Sequence, residues 1–225
     1  MLFDDYFGAF FILTLAYLIG SLPTAFFAVY FVKGSSGLTS GKIAGAYSVK
    51  NNIGLVPSLF VFLMDFFKGF FPIITATYLF PTEITMILTL SLLLIVGHNW
   101  SIFLKFSGGR GIAISLGTLL GLHLWQEVTI LVILFGLVGK HIIHKDSALW
   151  VFWGIMLLPA LLLFFERGLG FVIFGICLGF LLFVKRLFGD GKILDIRHCN
   201  WRVLSSRVVW DRDIVSKEQW RQKSG

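Results

Sequence analysis

Apolar runs that no charge interrupts, such as Leu88 to Val96 and Phe171 to Val184, recur along most of this 225-residue chain and leave few folds open to it. Strands of a membrane barrel alternate apolar and polar residues, whereas these runs are apolar on every side. Helices satisfy their own backbone groups in lipid, so they are the element such runs can form. A bilayer core asks for roughly 20 apolar residues per helical span. Candidate segments lie at 7–32, 55–80, 82–104, 111–125, 127–143, 147–165 and 168–184. The reading is an all-α integral membrane protein with about seven transmembrane helices. A hydrophobic content of 57%, only 14% charged residues and a mean hydropathy of +0.87 agree, because one soluble core could not hide that many apolar side chains.

Charges in the loops predict the orientation, since Lys and Arg resist translocation. Lys33, Lys42 and Lys50 follow the first span, Lys105 and Arg110 the third, Lys140 and Lys145 the fifth, and a basic tail follows the last. Asp4, Asp5, Glu83 and Glu127 fall on the other side, with Glu166 and Arg167 as a near-neutral pair. The amino terminus is therefore expected outside and the carboxyl terminus in the cytoplasm. Asp4 and Asp5 stand where a signal peptide would carry basic residues, so the first span is read as retained.

The chain divides into a polytopic membrane domain, 1–190, and a basic cytoplasmic tail, 191–225. The formal charge of +7 lies largely in that tail and suits an anionic inner leaflet; nothing resembles a nucleic-acid motif. Arg197, Arg202, Arg207, Arg212, Lys217 and Arg221 recur about every five residues, which tracks no single helical face, and the tail reads as solvated. Cys177 and Cys199 suggest neither a disulfide nor a metal framework.

Three stretches interrupt the apolar pattern, all assigned to one membrane face. TSGKIAGAYSVKNNIG at 39–54 combines glycines, hydroxyls, Lys42 and Lys50, a composition able to surround a phosphate. GHNWSIFLKFSGGRGIAISLG at 97–117 places a histidine at a span's end before a glycine-rich turn that opens the next helix. Gly108, Gly109 and Gly111 permit close approach of a ligand, helix N–H groups favour an anion, and Arg110 offers a planar fork for two phosphate oxygens. GKHIIHKDS at 139–147 crowds Lys140, His141, His144 and Lys145 between two spans. It reads as an interfacial basic loop rather than a metal site, because no carboxylate or cysteine stands at ligand spacing. Asp65 and Lys68, three apart within a span, lie on one helix face and are expected to form a structural ion pair.

Taken in order, these segments resemble the bacterial acyl-phosphate-dependent glycerol-3-phosphate acyltransferases of the PlsY type over residues 17 to about 190. YLIGSLPTAF at 17–26 is similar to that family's opening span, FLMDFFKG at 62–69 to its second-span signature and GHNWSIFLKFSGGRGIA at 97–113 to its histidine and phosphate motif. SGKIAGAYSV at 40–49 is similar to the first motif after one inserted residue, with Lys42 and Ser48 replacing asparagines. Asn51 stands at the family's arginine, with Lys50 beside it; Ser107 and Arg110 replace lysines. FVKRLFGDG at 183–191 matches the third motif in part, with Phe183 for asparagine and no following glutamate.

The resemblance implies transfer of a fatty acyl group from acyl phosphate to the 1-hydroxyl of glycerol 3-phosphate, at the cytoplasmic face of a bacterial inner membrane. It makes His98, Ser40 and Arg110 catalytic candidates, Ser40 not as a nucleophile. Gly41, Gly45, Ser48, Lys50, Asn51, Ser107, Gly108, Gly109, Gly111, Lys140, Ser147, Lys185 and Arg186 become candidate substrate or phosphate contacts. Acyl phosphate, glycerol 3-phosphate and membrane lipid are the implied partners, and no metal or organic cofactor is called for. Two rivals stand beside this reading: a divergent member with another acceptor or a purely lipid-binding role, and a small transporter of a phosphorylated solute.

Overall fold

Pro23 decides the course of the chain's first apolar stretch. It lacks an N–H and disfavours helical geometry at Leu22, so the expected first span is two helices, α1 (Leu2–Ser21) and α2 (Thr24–Leu38), separated at Leu22 and Pro23. The computed structural model describes residues 2–38, 45–143, 147–188 and 201–210. After α2 come α3 (Ala46–Ile53), α4 (Leu55–Leu79), α5 (Ile84–Asn99), α6 (Ile112–Gly121) and α7 (Trp125–Leu131), which continues as a π-helix over Val132–Ile143. Three more helices follow, α8 (Ser147–Phe164), α9 (Leu169–Phe188) and α10 (Trp201–Trp210). Among the described residues no strand forms beyond one isolated bridge, Ser101 to Ser107.

Three helical stretches are long and apolar enough to cross a membrane, Phe7–Gly34, Leu55–Leu79 and Leu169–Phe188. Four shorter apolar helices, Ile84–Asn99, Ile112–Gly121, Trp125–Gly139 and Leu149–Phe164, match the remaining apolar segments of the sequence. At α6 the outcome differs from the reading. Its ten residues rise only about 15 Å, half the hydrocarbon thickness. Large apolar side chains such as Phe7, Phe31, Phe164 and Leu169 are exposed, the pattern expected where lipid is the solvent.

The chain forms two compact units that divide between His123 and Leu124. In the first, α1 packs on α5 and α4 on α6. Glycines set both approaches. A methyl group at Gly20 or Gly97 would collide with the backbone of Leu94 or Tyr17, and one at Gly69 or Gly117 with the backbone of Ile114 or Phe66. Without a hydrophobic drive between helices in lipid, such small residues let the backbones pack closely.

The second unit is built from α7 to α10. Arg167 reaches Glu127, 40 residues away in the sequence. Arg167 Nε and Nη2 donate to the two Glu127 oxygens at 2.6 and 3.1 Å, and Nη2 donates to Gln126 at 2.7 Å. The tail is not wholly solvated, since α10 packs on α8 and α9. Arg186 Nη1 donates to the Val208 carbonyl at 2.8 Å and Arg207 Nη1 to that of Leu187 at 3.5 Å.

Candidate phosphate and proton-transfer site

The first unit gathers its polar groups where α1 and α5 end. Helix C-termini leave carbonyls without intrahelical partners, and side chains satisfy several of them here. Ser101 Oγ donates to the Ser21 carbonyl at 2.6 Å, Tyr17 Oη to that of Trp100 at 2.9 Å, and Lys68 Nζ to that of Leu22 at 3.0 Å. The break at Pro23 is thus stitched to α4 and to the chain following α5.

Past Trp100 the chain reverses through a short 3-10 turn, Ile102–Leu104, with Lys105 and Phe106 in left-handed conformations at φ 52° and 59°. Such backbone costs L-residues roughly 1–2 kcal/mol each. The reversal brings Gly108 and Gly109 back beneath the end of α5. Gly109 N–H donates to the His98 carbonyl at 3.1 Å, and a methyl group at Gly108 would strike the His98 and Asn99 carbonyls. Gly111, at φ 78°, then caps the start of α6. The first-turn N–H groups of α6 therefore emerge from a glycine turn, beside half-buried Arg110, as an anion site requires.

Two motifs that are far apart in sequence meet at this turn. A methyl group built on Gly45 would lie 3.8 Å from Gly109 Cα, so the start of α3 lies beside the glycine turn. α3 is held there by its inner face, where Ala46, Val49 and Ile53 pack with Ala25, Ala28, Val29 and Val61. The spacing of three and four puts those residues on one stripe and leaves Lys50 and Asn51 exposed on the other.

A small cleft lies between Ser21 to Ala25, where the first helix breaks, and His98, Ser101, Gly108 and Gly109. His98 is buried in the last turn of α5, with Nδ1 3.6 Å from Asp65 Oδ1. The same carboxylate oxygen accepts from Thr24 Oγ1 at 2.6 Å and pairs with Lys68 Nζ at 2.8 Å. The expected ion pair therefore exists and reaches further than expected, into the wall of the cleft. Ser21 Oγ, at 1% exposure, has no hydrogen-bond partner among the described residues.

Of the candidate residues, the structure brings together Gly45, His98, Gly108, Gly109, Arg110 and Gly111. Ser48 makes contacts within its own turn. Its hydroxyl donates to the Gly45 carbonyl at 2.8 Å and faces the Gly45 N–H at 3.3 Å, closing the first turn of α3. Ser107 Oγ donates to the Leu104 carbonyl at 2.6 Å within the reversal. Lys185 and Arg186 belong to the second unit and are buried there, Arg186 against α10. Ser40 and Gly41 lie outside the described residues, as does His144; Lys140 and Ser147 fall on described backbone without described side chains.

Sequence reasoning did not assign Ser21, Thr24 or Ser101 to the site and gave Asp65 and Lys68 a purely structural role. The available signal was a charged pair in an apolar span, together with a hydroxyl on each side of a proline.

A family model described as glycerol-3-phosphate acyltransferase matches residues 10–187. Glycerol-3-phosphate acyltransferase 4 of Dehalococcoides mccartyi (strain CBDB1) is 32% identical over 91% of this chain and 89% of its own length. The corresponding protein of Nostoc sp. (strain PCC 7120 / SAG 25.82 / UTEX 2576) is 31% identical over 77% of this chain and 83% of its own. The relative from Desulforamulus reducens is 39% identical over 48% of this chain, which spans about half of that relative's length (54%). Among solved structures, the fold is similar to PlsY (YgiH), an integral membrane glycerol 3-phosphate acyltransferase. Its glycerol 3-phosphate form aligns with a TM-score of 0.71 at 23% identity over 80% of this chain and 88% of that one. The lysophosphatidic acid form gives 0.70 at 24% identity over 89% and 94%. With most of its length matched by the family model and a relative aligned almost end to end, the chain belongs to the glycerol-3-phosphate acyltransferase family.

Proposed function

We propose that the protein is a multi-pass membrane acyltransferase that moves a fatty acyl group from acyl phosphate to the 1-hydroxyl of glycerol 3-phosphate. The products are lysophosphatidic acid and inorganic phosphate. The observation that carries the reading is the closeness of Gly45 to Gly109, which sets the described end of the first motif beside the glycine turn at the start of α6. Helix N–H groups, Arg110 and Lys50 then supply positive charge for the phosphates, while the acyl chain lies among apolar spans.

In this mechanism the acceptor hydroxyl attacks the acyl carbonyl directly. A C–O bond forms to glycerol 3-phosphate, the C–O bond to phosphate breaks, and phosphate leaves with the electron pair. The hydroxyl proton passes to His98 or to a phosphate oxygen. Phosphate is already a good leaving group, so positioning and stabilisation of the developing oxyanion carry the acceleration. The loop charges orient the site toward the cytoplasm of a bacterial inner membrane, with the amino terminus outside.

The test is release of inorganic phosphate by purified, detergent-solubilised protein given acyl phosphate, with and without glycerol 3-phosphate, alongside product identification. Acceptor-dependent release with lysophosphatidic acid formation supports the reading. Folded protein that gives neither overturns it and favours another acceptor or a lipid-binding role.

A further inference from the structure

A serine inside a helix commonly turns its hydroxyl back to the carbonyl four residues earlier, as Ser91 Oγ does to Ile87 at 2.9 Å. Ser21, in the last turn of α1, does not. The residue is 1% exposed and its hydroxyl meets no partner among the described residues, while its carbonyl is held by Ser101 Oγ at 2.6 Å. A buried hydroxyl left without a bond costs free energy, and a ligand that supplies the acceptor recovers it.

The backbone beside Ser21 is in the same condition. Thr24 N–H turns back to the Leu22 carbonyl at 3.0 Å and Phe27 N–H to that of Pro23 at 3.2 Å. Between them the N–H groups of Ala25 and Phe26, in the first turn of α2, meet no backbone acceptor among the described residues. Ser21, Leu22, Thr24 and Ala25 line the cleft together with Gly108 and Gly109 of the turn before α6. Its volume of about 10 Å³ takes one oxygen-sized group. The nearby Asp65 carboxylate is matched by Lys68 Nζ at 2.8 Å and accepts from Thr24 Oγ1, so its charge is already balanced.

In an acyl phosphate a single bridging oxygen separates phosphorus from the carbonyl carbon. A phosphate seated at the glycine turn therefore sets the carbonyl beside the cleft. We infer that the cleft is the oxyanion site of the transfer, where Ser21 Oγ–H and the first-turn N–H groups of α2 receive the acyl carbonyl oxygen. As the acceptor oxygen bonds to the carbonyl carbon, the carbonyl π pair moves onto this oxygen. It returns when the C–O bond to phosphate breaks, and phosphate leaves with that bond's pair, a phosphate oxygen taking the acceptor's proton. Donors already withdrawn from water need no rearrangement as the charge develops. The inference rests on the acyl-transfer reading.

Infrared difference spectroscopy locates the carbonyl without requiring turnover. Long-chain acyl phosphate labelled with carbon-13 at the carbonyl is bound to the full chain in micelles without acceptor, and its C=O stretch is compared with that in protein-free micelles. A shift to lower frequency is expected in the parent, reduced in Ser21→Ala and retained in Ser115→Ala. An unshifted parent band, or an equal shift in the parent and Ser21→Ala, overturns the inference. In turnover, Ser21→Ala should lower kcat at least about tenfold, with KM for acyl phosphate and glycerol 3-phosphate within about threefold of the parent. Ser21→Cys, which keeps a weak donor at the same position, should fall between the two. Unchanged kcat in Ser21→Ala, or a loss that Ser115→Ala matches, also overturns it. A parent that shifts the carbonyl band yet forms no lysophosphatidic acid counts instead against the proposed function and leaves the carbonyl site standing.

Discussion

Each compact unit buries a carboxylate, and the two are used differently. Glu127, fully buried in the second unit, meets Arg167 through two hydrogen bonds, and the arginine's remaining reach goes to Gln126. That pair does not line the cleft at the broken helix. Asp65 in the first unit is also paired, but its oxygen faces His98, and its partners border the cleft at the broken helix. The difference separates architecture from chemistry. A closed bidentate pair locks two segments, whereas a carboxylate shared among hydroxyl, ammonium and imidazole can set the state of a reactive group.

Breaking the closed pair should give the largest effect on folding. Arg167→Ala leaves Glu127 buried without its guanidinium and should destabilise the second unit by about 3–5 kcal/mol, read as thermal unfolding in micelles. The folded fraction should keep its KM for glycerol 3-phosphate; a changed KM would show that this pair also serves the site. Arg110→Ala should act on the site, weakening phosphate recognition by about 1.5–3 kcal/mol, seen as a raised KM. Unaltered kinetics would remove Arg110 from the site.

Gly108→Ala should cost about 1–3 kcal/mol of stability, because its methyl group meets the His98 and Asn99 carbonyls, and turnover should fall with it. Gly8→Ala, with open space around it, is the control expected to leave melting and turnover near those of the parent. A small change in stability is expected at two buried serines. Ser21 and Ser115 hydroxyls both lack a hydrogen-bond partner among the described residues, so replacing either by alanine should move stability by less than about 1 kcal/mol. Ser21 lines the cleft and Ser115 does not, so Ser21→Ala alone should alter KM or kcat. Equal kinetics in the two variants would show that the Ser21 hydroxyl serves no substrate.

Much of the candidate site was legible because its chemistry is local. His98 followed by Ser107 to Gly111 reads as a histidine and an anion turn, and the end of α5 and the start of α6 place those residues together. The hydrogen bonds that Ser107 and Ser48 make within their own turns were not legible, since a hydroxyl that closes a turn has the same sequence signature as one that binds phosphate. α10 escaped notice for a different reason. Arginines at intervals of about five mark no helical face, and the carbonyl contacts that hold the tail are made by individual guanidinium groups.

The sequence by itself determined the solvent and the elements. Apolar runs without charge must be helices in lipid. It also determined the family, through motifs whose spacing is fixed by short turns. Tertiary structure alone decided that Arg167 pairs with Glu127 rather than Glu166, that Gly45 reaches Gly109, and that Asp65 faces His98 across 33 residues. Those choices depend on how closely helices approach and where each one ends, and a few buried glycine contacts set that approach rather than any periodic pattern along the chain.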